Sequence, residues 1–357
     1  MLMNVMTKSN DNVIDKCRIL KNEPMSRHTS WRTGGAARQY IQAESLSALA
    51  SFIATLPADE KLLWLGLGSN TLVRDGGFNG TVIATQGLMS QLSIVDEDGL
   101  DAEGPEEEGP EETRVYVGAG VSSAKLARFC SKNKLSGAEF FAGIPGLVGG
   151  ALAMNAGAFG GETWPLIVEV ETLNRKGEIT KRSANEFEYG YRQVKGPAEE
   201  WFVSATLKLK KQQLKNNTID IKQLLTKRAL TQPTGVASCG SVFRNPQGHY
   251  AAKLIEDCGL KGQRIGGAVV STKHANFIIN ENKASAADIE SLITLVQKTV
   301  KDKHGVLLQT EVRIVGEKPA GGKQIGGKPA NSKQAVESLP VENSPVEKSR
   351  EQDLNDH

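Results

Sequence analysis

Between Glu139 and Glu162 the chain is apolar and uncharged, yet it is broken by glycine or proline at Gly143, Pro145, Gly146, Gly149, Gly150, Gly157, Gly160 and Gly161. Linkers are polar, so this stretch is not a solvated linker. Each glycine costs roughly 0.5–1 kcal/mol inside a helix or strand, so a long regular element is disfavoured as well. What glycine supplies is backbone that can approach another group closely with its N–H donors bared. A ligand that suits such a surface is large, flat in one part and anionic in another. Any one of these glycines alone reads better as a buried turn between core elements, so the rest of the chain must decide.

The order Gly143-Ile144-Pro145-Gly146-x-Val148-Gly149-Gly150-Ala151-x-x-Met154-Asn155-Ala156-Gly157-Ala158 resembles the flavin-cradling segment of the UDP-N-acetylenolpyruvoylglucosamine reductase (MurB) family of peptidoglycan synthesis. That resemblance implies non-covalent FAD, NADPH as hydride donor and UDP-N-acetylglucosamine enolpyruvate as substrate. It implies an α+β fold: a two-subdomain FAD-binding lobe of the vanillyl-alcohol-oxidase type, then a C-terminal α+β substrate-binding domain. The resemblance covers about Ser26 to Val315. No insertion with a substrate-closing tyrosine lies between Phe243 and Glu311, which resembles the shorter, type II form of the family.

Composition agrees. At 357 residues two or three lobes are expected. A net charge of +2 gives no global reason to bind nucleic acid or an anionic membrane. No segment reads as a spanning helix, and Met1 to Lys16 lacks the apolar core of a secretory signal, so a cytoplasmic setting is expected. Cys17, Cys130, Cys239 and Cys258 contain no C-x-x-C pair, which fits neither a zinc site nor a disulfide framework, and no metal is expected. Asp96 to Glu112 holds ten carboxylates and no basic residue, and reads as a solvated acidic hairpin loop between Leu92–Val95 and Arg114–Val117. From about Gly316 the sequence is rich in Gly, Pro, Lys, Glu and Ser and reads as a disordered tail. The expected organisation is a 1–25 extension, a 26–212 FAD lobe, a 213–316 substrate domain and a 317–357 tail.

In chain order, His28 to Ala37 resembles the family's opening segment. Ser45 caps a helix running to Leu56, and Lys61 to Gly66 is a short buried strand. It delivers the chain into Gly66-Leu67-Gly68-Ser69-Asn70-Thr71, whose amides and two short polar side chains suit diphosphate oxygens. This is not a dinucleotide fingerprint of the Gly-x-Gly-x-x-Gly kind, because Thr71 replaces the third glycine and a short strand follows. Val115 to Gly118 is a strand leading to Gly120, and Ser123 to Lys132 a helix. Ile167–Leu173 and Glu178–Thr180 form a hairpin, Val203–Leu209 is a strand, and Thr218–Leu230 a charged amphipathic helix with Arg228 at the apolar spacing. Helices follow at Ala251–Cys258 and at Ala286–His304, the latter between Ser285 and Gly305, then a strand over Leu307–Val315.

The resemblance implies FAD contacts from Gly66, Gly68, Ser69, Asn70, Gly120, Gly143, Ile144, Pro145, Gly149, Asn155 and Gly157. None of His28, His249, His274 and His304 falls in a glycine loop where it could bond covalently to the flavin. It assigns Arg192, in Tyr191-Arg192, to the substrate carboxylate, with Val194 where the family often has serine. Ser241, in Gly240-Ser241-Val242-Phe243-Arg244-Asn245-Pro246, becomes the proton donor and Glu311 the catalytic carboxylate, with Tyr191, Arg244 and Asn245 at the substrate. Arg244 stands where the family has lysine. Cys239 shares a face with Ser241 in an extended segment and reads as a small apolar neighbour. An FAD-linked oxidase of the same fold and a non-catalytic nucleotide-sugar-binding protein remain open on the residues alone.

Overall fold

The first sheet begins earlier than expected. In the computed structural model, which describes residues 16–95, 112–211 and 221–319, β1 (Cys17–Pro24) pairs antiparallel with β2 (Ala36–Ala43). The supposed 1–25 extension therefore contributes an edge strand, because its backbone pairs although its side chains alternate only weakly. Ser45 Oγ accepts from Ala48 N and caps α1 (Leu46–Ala54), whose Leu49 and Ile53 are buried. Next come β3 (Leu62–Leu65), β4 (Thr71–Val73) and β5 (Phe78–Ala84). The sheet order is β1-β2-β5-β3, with β5 parallel to both neighbours.

A second, antiparallel sheet follows. It contains β6 (Leu92–Val95), β7 (Glu112–Gly118), β8 (Leu135–Ser136), β11 (Ile167–Asn174), β12 (Ile179–Ser183) and β15 (Glu200–Lys211), in the order β12-β11-β15-β7-β6 with β8 pairing the end of β15. β6 and β7 form the expected hairpin, while the acidic residues 96–111 lie outside the described residues. α2 (Ser123–Lys132) and the glycine-rich α3 (Val148–Met154) pack on this sheet around Phe141, Leu152 and Trp164. Two small hairpins complete the lobe: β9 (Gly157–Ala158) with β10 (Gly161–Glu162), and β13 (Glu188–Gly190) with β14 (Gln193–Lys195).

After α4 (Ile221–Thr231), which packs through Ile221 on the second core, the third part holds α5 (Ala251–Asp257), the three-stranded β16 (Arg264–Ile265), β17 (Ala268–Val270) and β18 (Ile278–Asn280), α6 (Ala286–His304) and β19 (Arg313–Val315). Ser285 and Asp288 form a reciprocal cap at the start of α6, and Gly305 ends it in the left-handed conformation. The expected strand from Leu307 shrinks to β19, since 307–312 meets its neighbour only at the bridge between Phe243 and Thr310.

Trp31 is fully buried in the third core, donating from Nε1 to Ile278 O at 2.7 Å while its own carbonyl accepts from Asn280 Nδ2 at 2.8 Å. Asp75 accepts from the first two amides of α6, and Arg74 clasps Glu290 with two bonds of 2.9 and 3.0 Å. β19 pairs in parallel with β4. The opening segment and the loop after β4 thus fasten the third core to the first sheet. Glu317, at the expected start of the tail, also exchanges backbone bonds with Gly76 and Gly77; residues 320–357 lie outside the described residues.

Candidate active site

The three parts meet on a cleft of about 660 Å³. Its floor is built from both glycine loops, which touch where Ser69 Oγ donates to Pro145 O at 2.9 Å. Gly66, Gly68, Ser69, Asn70, Gly143, Ile144, Pro145, Gly149 and Gly157 all line it. The tip after β3 turns through Gly68 at φ +59, where a Cβ would lie 2.2 Å from His28 O. Only glycine fits there. The amides of Leu67, Gly68, Ser69 and Asn70 find no protein acceptor among the described residues. Gly150 lies on the lining with nothing within 4 Å of its missing Cβ.

Two of the expected cofactor contacts lie elsewhere. Gly120 is not on the lining: a Cβ there would fall 1.6 Å from Leu88 O, and its N–H donates to Met89 O. Its glycine serves close packing of backbone on backbone. Asn155 is fully buried, and its amide is spent on protein partners.

On one wall of the cleft stand Arg192, Ser241 and Glu311. Arg192 comes from the tip of the β13–β14 hairpin. Ser241 and Glu311 come from two facing segments of the third part, joined by Glu311 N to Val242 O at 2.8 Å and Arg244 N to Gln309 O at 2.9 Å. Asn70 Nδ2 donates to Glu311 O at 3.0 Å and ties this wall to the loop after β3. Arg192 Nε is 3.1 Å from Glu311 Oε1, an ion pair whose N–H is not well aligned for a hydrogen bond. Arg244 Nε is a second buried donor without an acceptor. Buried donors are nearly always satisfied, so these two nitrogens are unusual; Arg192 lines the cleft, Arg244 does not, and the charges of both act on Glu311.

Burial pushes the Glu311 carboxyl above its ordinary value, against the opposing pull of Arg192 and Arg244. A carboxyl raised in the folded state contributes stability below its unfolded pKa of about 4.3, and that contribution is lost as pH rises through the folded value. Glu311→Gln is therefore expected to melt higher than the parent at pH 8, with the gap closing toward pH 4. Equal gaps at both pH values, by thermal unfolding, would contradict this.

Tyr191 and Asn245 stand at the rim, neither of them on the lining, with Asn245 N donating to Tyr191 OH at 3.3 Å. Asn245 Oδ1 accepts from Ala251 N and starts α5. Cys239 is buried, its thiol pushed up to about 12 by burial, with Sγ directed at Gly68 O and Thr71 O. It is a packing group, as expected. Arg228 was read only as part of an amphipathic face. It turns into the cleft wall, donates from Nε to Gln232, and burial holds its pKa below the ordinary value. Helical periodicity cannot distinguish a cation on an apolar stripe from one facing a cavity.

Comparison with known proteins decides the family. The pattern of the UDP-N-acetylenolpyruvoylglucosamine reductase C-terminal domain matches residues 232–315, and that of an FAD-binding domain matches 37–183. A UDP-N-acetylenolpyruvoylglucosamine reductase of Legionella pneumophila is 52% identical over 300 residues, spanning 84% of this chain and 92% of the relative. The chain belongs to the UDP-N-acetylenolpyruvoylglucosamine reductase family. A relative of the same name from Alkalilimnicola ehrlichii is 53% identical over 295 residues, 83% of this chain and 94% of that one. The crystal structure of the Thermus caldophilus reductase superposes with a TM-score of 0.64 at 30% identity, covering 84% of this chain and 98% of that chain.

As a UDP-N-acetylenolpyruvoylglucosamine reductase family member, the chain is an FAD-dependent oxidoreductase with the α+β FAD lobe and C-terminal domain that the sequence led us to expect. The residues present fit FAD. Four unpaired amides at the Gly68 turn suit an anionic diphosphate, and the bare face at Gly150 leaves room for a flat ring. Gly150→Leu fills that room, and because α3 gains a better helix former, the purified protein is expected to lose most of its flavin absorbance while its flavin-free form melts no lower than the flavin-free parent. Full flavin content in this variant would mean that the cofactor lies elsewhere.

Proposed function

We propose that this protein reduces UDP-N-acetylglucosamine enolpyruvate to UDP-N-acetylmuramate with NADPH as the electron source, in cytoplasmic synthesis of peptidoglycan precursors. The observation that carries this reading is the convergence of Arg192, Ser241 and Glu311 on one wall of a glycine-floored cleft. Bound FAD supplies hydride transfer between a nicotinamide and an alkene carbon. The protein's own task is to orient the enol ether, stabilise negative charge and place one proton.

Arg192, on the lining, receives the substrate carboxylate with its guanidinium, and the charge of Arg244, which also pulls on Glu311, adds to the positive field there. Glu311, held toward its neutral form by burial, donates a hydrogen bond to the carboxylate oxygen on which enolate charge develops. Ser241, whose hydroxyl has no partner among the described residues, gives its proton to the carbon next to the carboxylate. A serine is a weak acid, yet an enolate carbon is basic enough to take its proton. Tyr191 and Asn245 border the substrate at the rim, while Arg228 offers its buried charge to the nucleotide-sugar diphosphate. Gly66, Gly68, Ser69, Asn70, Gly143, Ile144, Pro145, Gly149 and Gly157 cradle the cofactor.

The test is product mass after turnover in D₂O with unlabelled NADPH. The reading expects one carbon-bound deuterium and one hydrogen added across the double bond. No product, or two deuterons from solvent with an inert NADPH, would overturn it.

A further inference from the structure

The structure assigns Asn155 as a positioning residue for Arg192 instead of a contact to the cofactor. Asn155 ends α3 in the left-handed conformation, at φ 45 and ψ 55, and is fully buried. Asparagine is among the few residues with a side chain that adopt this backbone readily. Its Oδ1 accepts from Trp164 N at 3.0 Å, and its Nδ2 donates to Glu162 Oε2 and to Gly190 O, each at 3.0 Å. Both donors are spent, so the side chain has none left to offer a ligand.

These bonds reach Arg192 from two directions. Gly190 and Gln193 are the last paired residues of the β13–β14 hairpin, so its tip is Tyr191–Arg192 alone. The bond to Gly190 O fixes that tip at its base. At the other end, Asn155 O accepts from Arg192 Nη1 at 3.4 Å, and Gly157 O accepts from Nη2 at 2.8 Å. The Asn155 side chain thus fixes the backbone that presents Arg192, and the carbonyls of Asn155 and Gly157 together hold the outer edge of its guanidinium, leaving Nε toward Glu311.

Arg192 needs such a hold. Its φ is +55, a left-handed backbone that a long side chain adopts only when its surroundings impose it. Arginine also has many rotamers to lose, and a guanidinium displaced by 1 Å no longer meets a planar carboxylate with its fork. Anchoring at both ends removes that freedom before substrate arrives. The sequence placed Asn155 in the glycine-rich run and so grouped it with the cofactor. Its partners in space are 190 and 192.

This inference rests on Arg192 as the carboxylate binder, and the experiment separates the two. Asn155→Gly keeps the left-handed backbone and deletes the three side-chain bonds. We expect kcat/KM for the enolpyruvyl sugar to fall on the order of 10–10²-fold, with FAD affinity, read by flavin fluorescence, within twofold of the parent. In an Arg192→Ala background the same change should cost less than twofold more, since residues acting through one another are not additive. Additive losses, or weakened FAD binding, overturn the role of Asn155. An Arg192→Ala variant with parental kcat/KM overturns the reading of the site instead. Asn155→Asp preserves volume and the bond from Trp164 while turning a carboxylate on Gly190 O and Glu162. It is expected to follow the same cycle, and additivity there would overturn the role equally, so the test survives if the glycine variant fails to fold.

Discussion

Ser241→Ala is expected to lower turnover by about 10²–10⁴-fold, the usual contribution of a positioned general acid, while NADPH still reduces the bound flavin at the parental rate. The two effects separate because the proposed reading gives Ser241 a single task. It stands on the segment facing Glu311, and its hydroxyl makes no hydrogen bond to another described residue, so removing it breaks no internal hydrogen bond. Only the step that needs a proton on carbon should suffer. The measurement is a pair of rapid-mixing traces, one following flavin bleaching by NADPH and the other its recovery with the enolpyruvyl sugar. If bleaching slows as much as recovery, Ser241 is shaping the cleft rather than donating the proton.

Arg192→Ala should cost about 10²–10³-fold in kcat/KM, the typical loss on deleting one donor aimed at developing charge, and Arg192→Lys should recover little of it. Lysine keeps the charge but not the fork. In this site Nη1 and Nη2 are committed to the carbonyls of Asn155 and Gly157 while Nε faces Glu311. An ammonium cannot bond in all these directions from one position. The loss should appear in both KM and kcat, because the carboxylate is present in the ground state and its charge grows in the transition state. A fully active lysine variant would reduce Arg192 to a point charge and contradict the geometry.

Much of this was legible in the chain itself, for physical reasons. α6 was readable from Ala286 to His304 because both its ends carry side-chain signals: Ser285 with Asp288, then Gly305. The cleft floor was readable because an apolar run so rich in glycine has few other uses. β1 was missed because an edge strand with one paired side need not alternate strictly, and the run from Leu307 was over-read because extended backbone without a partner looks the same in sequence as a strand. Gly120 and Asn155 show the limit of reading motifs by neighbourhood. Both lie in or near glycine-rich runs, yet one packs on the turn at Leu88 and the other holds a hairpin 35 residues further along the chain. Arg228 shows the converse, since what makes it part of the site is the cavity that α4 borders, and a sequence has no cavities.

The measurement that most directly tests the central claim is the anaerobic absorbance spectrum of the purified protein. The account predicts a non-covalent yellow flavin that NADPH bleaches, and whose colour returns without oxygen only when UDP-N-acetylglucosamine enolpyruvate is added. A reduced flavin that stays bleached with that sugar and recovers only in air would contradict it, as would a colourless protein that takes up no FAD.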